Sequence, residues 1–200
     1  MKKTSQIEDQ GILTIFDIDE TLFHTSANII VKDADGNIVR QLTNQQFNVY
    51  QLERGEYFDY SEFKSAEIFY HTSKPIDRMF ACVKAIMKKK KSNSKVILLT
   101  ARSDLDDKEL FLDTFRKNGL PEIDDIHVHR AGNLPLSAAE GKRVFIEEYL
   151  KNGNFFKVRL FDDAESNLRM LNQMSSDHET VEFEAWQVLS DGKVRRFKSI

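Results

Sequence analysis

The sequence predicts an α/β fold, a mainly parallel sheet with helices on both faces. Three observations carry this. Apolar runs of strand length alternate with amphipathic runs of helical length along the chain. Three of those apolar runs, ILTIF, KVILL and FKVRLF, each lead into a polar cluster. No repeat or low-complexity linker divides the 200 residues, room for one domain, or one domain with a small insertion.

Taken in order, the first strand is Ile12–Phe16. Residues 24–74 then form an insertion, a small cap or flap within a single 1–200 domain. It contains IIVKDADGNIVRQ, two β-type runs around Asp35-Gly36, read as a hairpin. The aromatic, polar stretch QQFNVYQLERGEYFDYSEF gives no clear periodicity. PIDRMFACVKAIMKKKK is a helix, with Pro75 suited to its first turn and Ile76, Met79, Phe80, Val83, Ile86 and Met87 on one face. KVILLT is the second strand. The next helix lies within SDLDDKELFLDTFRKNGLP, where Ser103 and Asp106 have capping-box spacing and Gly119 and Pro121 give the stop. DIHVHR is a third strand, GKRVFIEEYLKNG a helix, FKVRLF a fourth strand and AESNLRMLNQM a helix. FEAWQVL and KVRRF, with SDG between them, read as a final strand or hairpin.

The net charge of -3 gives no strong overall attraction to nucleic acid, although a local basic groove is compatible with it. The single cysteine, Cys82, excludes an internal disulfide and a Cys-based zinc site. It falls in an apolar helical stripe, as a small buried hydrophobe would, and fits a reducing compartment. No apolar run follows the lysines of MKKTSQIEDQ, and no stretch approaches membrane-spanning length. The expectation is a soluble cytoplasmic protein without a membrane partner.

Several patterns invite readings that fail. An EF-hand loop counted from Asp33 would need Gly and Glu where Ile38 and Asn44 stand; counted from Asp17, it meets Leu22 and Asn28. Lys88–Lys91 closes a helix, where cations complement the carbonyl end of the dipole. His127 and His129 alternate with apolar residues on one strand face, a pattern more often packed or exposed than metal-bound.

In an open parallel sheet, ligands collect at the carboxyl ends of the strands, near the reversal of strand order. DIDET follows the first strand, TAR the second and DDAESN the fourth. Asp17, Asp19, Asp162 and Asp163 would converge there. Carboxylates so close cannot all stay ionised unless a cation joins them. All-oxygen ligation with few protein ligands suits Mg²⁺, which leaves a side open for phosphate. A carboxylate at such a site can attack phosphorus, and Thr100 and Lys142 are the available donors for the phosphoryl oxygens.

These four stations, in this order from Ile12 to Asn167, resemble the motifs of phosphatases of the haloacid dehalogenase (HAD) superfamily. The resemblance implies a Rossmann-like HAD fold and a Mg²⁺-dependent phosphomonoesterase. It implies that Asp17 is the nucleophile and a metal ligand. Asp19 is the acid/base and binds the metal through its main-chain carbonyl. Thr21 orients the loop, Thr100 and Lys142 contact the phosphate, and Asp162 and Asp163 complete the metal site, with the direct ligand of the two left open. Asp19 points to phosphoryl transfer, because dehalogenases of the superfamily lack that residue. Glu20 stands where many members carry Gly and is read as loop structure. Lys157 and Lys151 are the rivals to Lys142, at the wrong end of a strand and too late in a helix.

Arg102 touches substrate or pairs with a loop acid; Arg130 and His24 are further residues that could face the site. Trp186 and the insertion aromatics Phe47, Tyr50, Tyr57, Phe58, Tyr60 and Phe63 read first as core, although the latter could also stack bases. So short a cap implies an open site suited to a nucleotide or a nucleic-acid end, in this respect resembling polynucleotide 3′-phosphatase domains; a small metabolite and a turnover-dead phosphate binder are the alternatives. No P-loop accompanies it.

Overall fold

A computed structural model describes residues 9–47 and 49–198; the ends of the predicted 1–200 domain, residues 1–8 and 199–200, lie outside the described residues. The apolar run GILTIF forms β1 (Gly11–Phe16). A tight loop leads to β2 (Phe23–His24) and into the insertion, where β3 (Ile29–Lys32) and β4 (Ile38–Leu42) make the predicted hairpin. Gly36 at its turn has φ 85°, a conformation that glycine takes without Cβ strain, and Asp33 Oδ1 accepts from the Asp35 and Asn37 amides. The aromatic stretch resolves into α1 (Asn44–Phe47), β5 (Tyr57–Asp59), α2 (Ser61–Lys64) and α3 (Ala66–Thr72). β5 pairs with β3, so the insertion holds three strands rather than two. Its small core is Ile29, Val31 and Leu42, with Phe47, Tyr50, Phe58 and Phe63 against them; Tyr57 and Tyr60 stay exposed.

β6 (Lys74–Pro75) pairs with β2 and returns the chain to the body. Pro75 therefore sits in a strand and not in the helix's first turn. The Ile76 amide donates to the Leu22 carbonyl, and α4 (Asp77–Lys89) begins after it. Met79, Phe80 and Val83 are buried on its inner face, and the lysines at its carboxyl end are exposed. β7 (Lys95–Thr100) follows. α5 (Lys108–Lys117) is capped by Asp107 and not by Ser103, because Asp106 is drawn away to the amide of Ala66. The Leu120 and Gly119 amides close its far end on Phe115 and Arg116. Then come β8 (His127–Arg130), α6 (Ala138–Asn152), β9 (Phe155–Asp162), α7 (Glu165–Met174) and the hairpin of β10 (Glu182–Val188) and β11 (Val194–Arg196).

The main sheet runs β11-β10-β9-β1-β7-β8, parallel except for β11. The chain moves outward from β1 to β8, then crosses to β9 on β1's other side, so strand order reverses at β1. Alternating residues feed two cores. Leu13, Ile15, Ile97 and Leu99 face α6 and α7; Phe16, Val96 and Leu98 join the face covered by α3, α4 and α5. Phe23 anchors the second core, its ring edge-on to Phe69, Phe80 and Phe115 at 5.2, 5.1 and 5.0 Å. Cys82 and Trp186 are only half-buried at the margin of this core. No helix among the described residues is long and apolar enough to cross a membrane.

The β9 and β10 strands carry an ion cluster in which Glu184, 7% exposed, accepts from Lys157 and Arg159 and is ion-paired with Arg196. Burial alone would raise its pKa, but hydrogen bonds from Arg159 and Lys157 outweigh burial and bring it down to about 2 from 4.5. A depressed carboxyl pKa adds stability that is present above the unfolded value and lost as pH falls through the folded one. Glu184→Gln is therefore expected to lose about 2 kcal/mol in urea denaturation at pH 7, with the gap to wild type closing between about pH 4.5 and 2.

Candidate functional site

The loop after β1 starts at the switch point. The Asp17 amide donates to the Phe161 carbonyl at 3.0 Å and so extends the β1–β9 ladder by one residue. The chain then turns at once: the Leu22 and Phe23 amides both return to the Ile18 carbonyl, and the Glu20 amide donates to that of Phe23. The turn forces Glu20 to φ 55°, the one non-glycine residue at positive φ among the described residues. Such a conformation costs on the order of 1 kcal/mol. The Glu20 carboxylate offsets this by accepting from the Thr25 amide at 3.1 Å and from His24 Nδ1 at 2.9 Å. Glu20 and His24 thus hold the loop together.

Lys142 reaches this loop from α6. The helix begins earlier than its apolar pattern suggests, because Ser137 and Glu140 form a full capping box. That S-x-x-E spacing stood in the sequence as the missed start signal. From the second turn Lys142 passes into the interior, 0% exposed, and its Nζ donates to Asp17 Oδ1 and Asp162 Oδ2, both at 2.7 Å. Asp17, Asp162 and Asp163 each direct one carboxylate oxygen to a common region, those atoms lying within 4.8 Å of one another.

Asp162 is held on every side. It accepts from Lys142, from the Ala164 amide at 2.9 Å and from Asn167 Nδ2 at 2.9 and 3.0 Å. The N-cap position of α7, Ala164, has no side-chain cap bond; its amide goes to Asp162, and one Asp163 carboxylate oxygen lies with the cluster. Asn167 was not singled out as a site residue; five positions beyond Asp162, it comes back within reach after one helical turn.

Three carboxylates around one ammonium leave an excess of negative charge. Burial pushes the Asp17 carboxyl well above its usual range, and Asp162 and Asp163 push it further, against the pull of Lys142. Asp163 is raised to about 7, first by burial and then by Asp162. Burial works against the charge of Lys142, but Asp162 and Asp17 outweigh it and hold the ammonium above its ordinary range. The set is all-oxygen, largely buried and under-neutralised, a set of donors of the kind that could hold a hard cation.

Asp19 lies outside this cluster. Its carboxylate is held by Arg102, from Nε at 2.9 Å and from Nη2 at 2.7 Å. Arg102, 3% exposed, takes the second of its two expected roles, pairing with a loop acid. Thr100 is fully buried at the end of β7, and its hydroxyl oxygen accepts from the Arg102 amide at 3.1 Å. Gly132 makes this loop possible: a Cβ there would lie 2.3 Å from the Ala101 carbonyl oxygen. The Thr21 hydroxyl is buried with no hydrogen-bond partner among the described residues. Arg130 stands over Phe111 at 4.9 Å and beside Asp104, outside the carboxylate cluster. His127 and His129 stack at 6.3 Å on the α6 side, where His129 Nε2 and the Tyr149 hydroxyl are hydrogen-bonded.

Fold and site together define an α/β protein with a buried carboxylate and lysine cluster at the switch point of a parallel sheet. The chain matches no protein-family model, and no curated protein matches it in sequence.

Proposed function

We propose that this chain is a phosphomonoester hydrolase of the HAD superfamily, with Asp17 as nucleophile. The observation that carries the reading is Lys142 bridging Asp17 and Asp162 at 2.7 Å beside Asp163, at the carboxyl ends of β1 and β9. The donor set fits Mg²⁺: Asp17 and Asp163 would ligate through side chains and Asp19 through its carbonyl, while Asp162 is occupied by its donors. The ion would neutralise the acids and the phosphoryl oxygens.

An Asp17 oxygen bonds to phosphorus as the ester oxygen leaves, and Asp19 gives that oxygen a proton. Asp19 then takes a proton from water as the water oxygen bonds to phosphorus and the Asp17 bond breaks. Lys142 keeps Asp17 charged and oriented, and the Thr100 hydroxyl donates to a phosphoryl oxygen.

For substrate, the exposed rings of Tyr57 and Tyr60 on a small cap support a nucleotide or a polynucleotide 3′-phosphate. The insertion's charge supports a second reading, a small phosphorylated metabolite: residues 24–74 hold five Lys or Arg and seven Asp or Glu, a poor surface for a polyanion. The test is phosphate release from a panel of sugar phosphates, nucleotides and 3′- and 5′-phosphorylated oligonucleotides, with Mg²⁺ and with chelator. Turnover that stops with chelator is expected, and the preferred member separates the two substrate readings. Absence of turnover together with metal-dependent binding of a phosphate analogue would replace the enzyme by a phosphate-binding protein.

A further inference from the structure

Arg102 stands between two parts of the molecule that are far apart in sequence. On one side its fork holds the Asp19 carboxylate at 2.9 and 2.7 Å. On the other, Nη1 donates to the Phe63 carbonyl at 2.9 Å, and the guanidinium carbon lies 4.7 Å from the ring centres of both Phe63 and Phe69. Both aromatics belong to the insertion. Two more bonds clasp the same stretch: the Asp106 amide donates to the Lys64 carbonyl at 2.9 Å, and the Ala66 amide to Asp106 Oδ1 at 2.7 Å. The Arg102 side chain is 1% exposed. A guanidinium so enclosed, with its charge already matched in a two-point pair, is built to hold a neighbour and not to meet an incoming anion.

We propose that Arg102 is a positioning residue that fixes Asp19 and ties it to the insertion, so that the cap acts on the chemistry from outside the cleft. This rests on the phosphatase reading for the role of Asp19. Phe63 and Phe69 set the plane of the guanidinium, and the guanidinium sets the place of the carboxylate that exchanges the proton with the leaving oxygen.

A general acid matters in proportion to the basicity of the leaving oxygen. Arg102→Gln and Arg102→Lys should be compared with wild type on an alkyl phosphomonoester and on p-nitrophenyl phosphate, whose phenolate leaves with little need of a proton. For Arg102→Gln, kcat/KM on the alkyl ester, which reads the step that forms the phosphoaspartate, is expected to fall roughly 100-fold. On the nitrophenyl ester kcat/KM falls only a few-fold, while kcat falls on both because Asp19 also takes the proton of the attacking water. Arg102→Lys keeps the charge without the fork and recovers only part of the loss. A raised KM on both esters with kcat retained would make Arg102 a substrate-gripping residue and overturn the proposal.

Amide hydrogen exchange in the same variants gives a readout independent of turnover. Exchange at Leu22 and Phe23 in the loop, and at Ala66 and Phe69 in the insertion, is expected to speed up together. Unchanged exchange at either end overturns the proposal. Should wild type hydrolyse neither ester, the phosphatase reading fails, while the exchange result still decides whether Arg102 couples the insertion to the loop.

Discussion

Asp17→Asn is expected to abolish phosphate release while leaving the fold at least as stable as before. An amide oxygen in place of a carboxylate cannot serve as the nucleophile, and the loss is expected to reach about 10⁴-fold or more. The stability side follows from charge. Among the described residues, Lys142 is the one ammonium bonded to this cluster, facing Asp17, Asp162 and Asp163. Without Asp17 it keeps Asp162 at 2.7 Å, and the excess of acid falls. Burial and the neighbouring carboxylates raise the Asp17 pKa above its ordinary 3.8. A raised carboxyl pKa costs stability as pH climbs from the unfolded value through the folded one. The variant should therefore match or exceed wild type in urea at pH 8 and converge with it below about pH 4, where both carry a neutral group. Loss of the fold along with activity would mean that Asp17 anchors Lys142 structurally, and the gain expected from removing a charge would be refuted.

The parts of this molecule that were legible are those set by local pattern. ILTIF, KVILLT and FKVRLF form strands because their apolar residues serve two cores at once, on both faces of a parallel sheet. The polar ends of those strands meet because parallel strands bring their carboxyl ends to one edge. What stayed hidden depends on long-range geometry. Nothing near Arg102 in sequence marks Asp19 as its partner, 83 residues away. The pairing of β5 with β3 joins an apolar strand that is easy to read to a three-residue segment, Tyr57–Asp59, too short and too exposed to show an alternation. The start of α6 was legible in principle, since Ser137 and Glu140 carry the capping-box spacing, but three small residues behind Ser137 hid the apolar period. Asp106 illustrates competition: its spacing from Ser103 fits a cap, yet the amide of Ala66 in the insertion claims its carboxylate.

Lys142→Met is expected to cost both activity and stability, and the contrast with Asp17→Asn is what separates charge balance from mere packing. Methionine matches the length and fills the volume, so the change is close to removal of the charge alone. It leaves Asp17 and Asp162 buried, 6% and 0% exposed, without the cation that joined them. Breaking a buried pair in this way costs about 3–5 kcal/mol. Turnover should fall by roughly 100- to 1,000-fold, the range for losing one preorganised donor to developing charge. The deficit has a sign in pH: carboxyls whose folded pKa is raised lose stability as pH rises. The urea midpoint should therefore lie far below wild type at pH 8 and recover much of the gap near pH 4. A divalent cation at pH 8 should also narrow the gap, by supplying charge where the ammonium stood. Adding Asp17→Asn to Lys142→Met should then raise stability rather than lower it, because one of two uncompensated carboxylates is gone. Two destabilising changes that simply add would show that the cluster is held by packing, and that Lys142 does not hold Asp17 through charge.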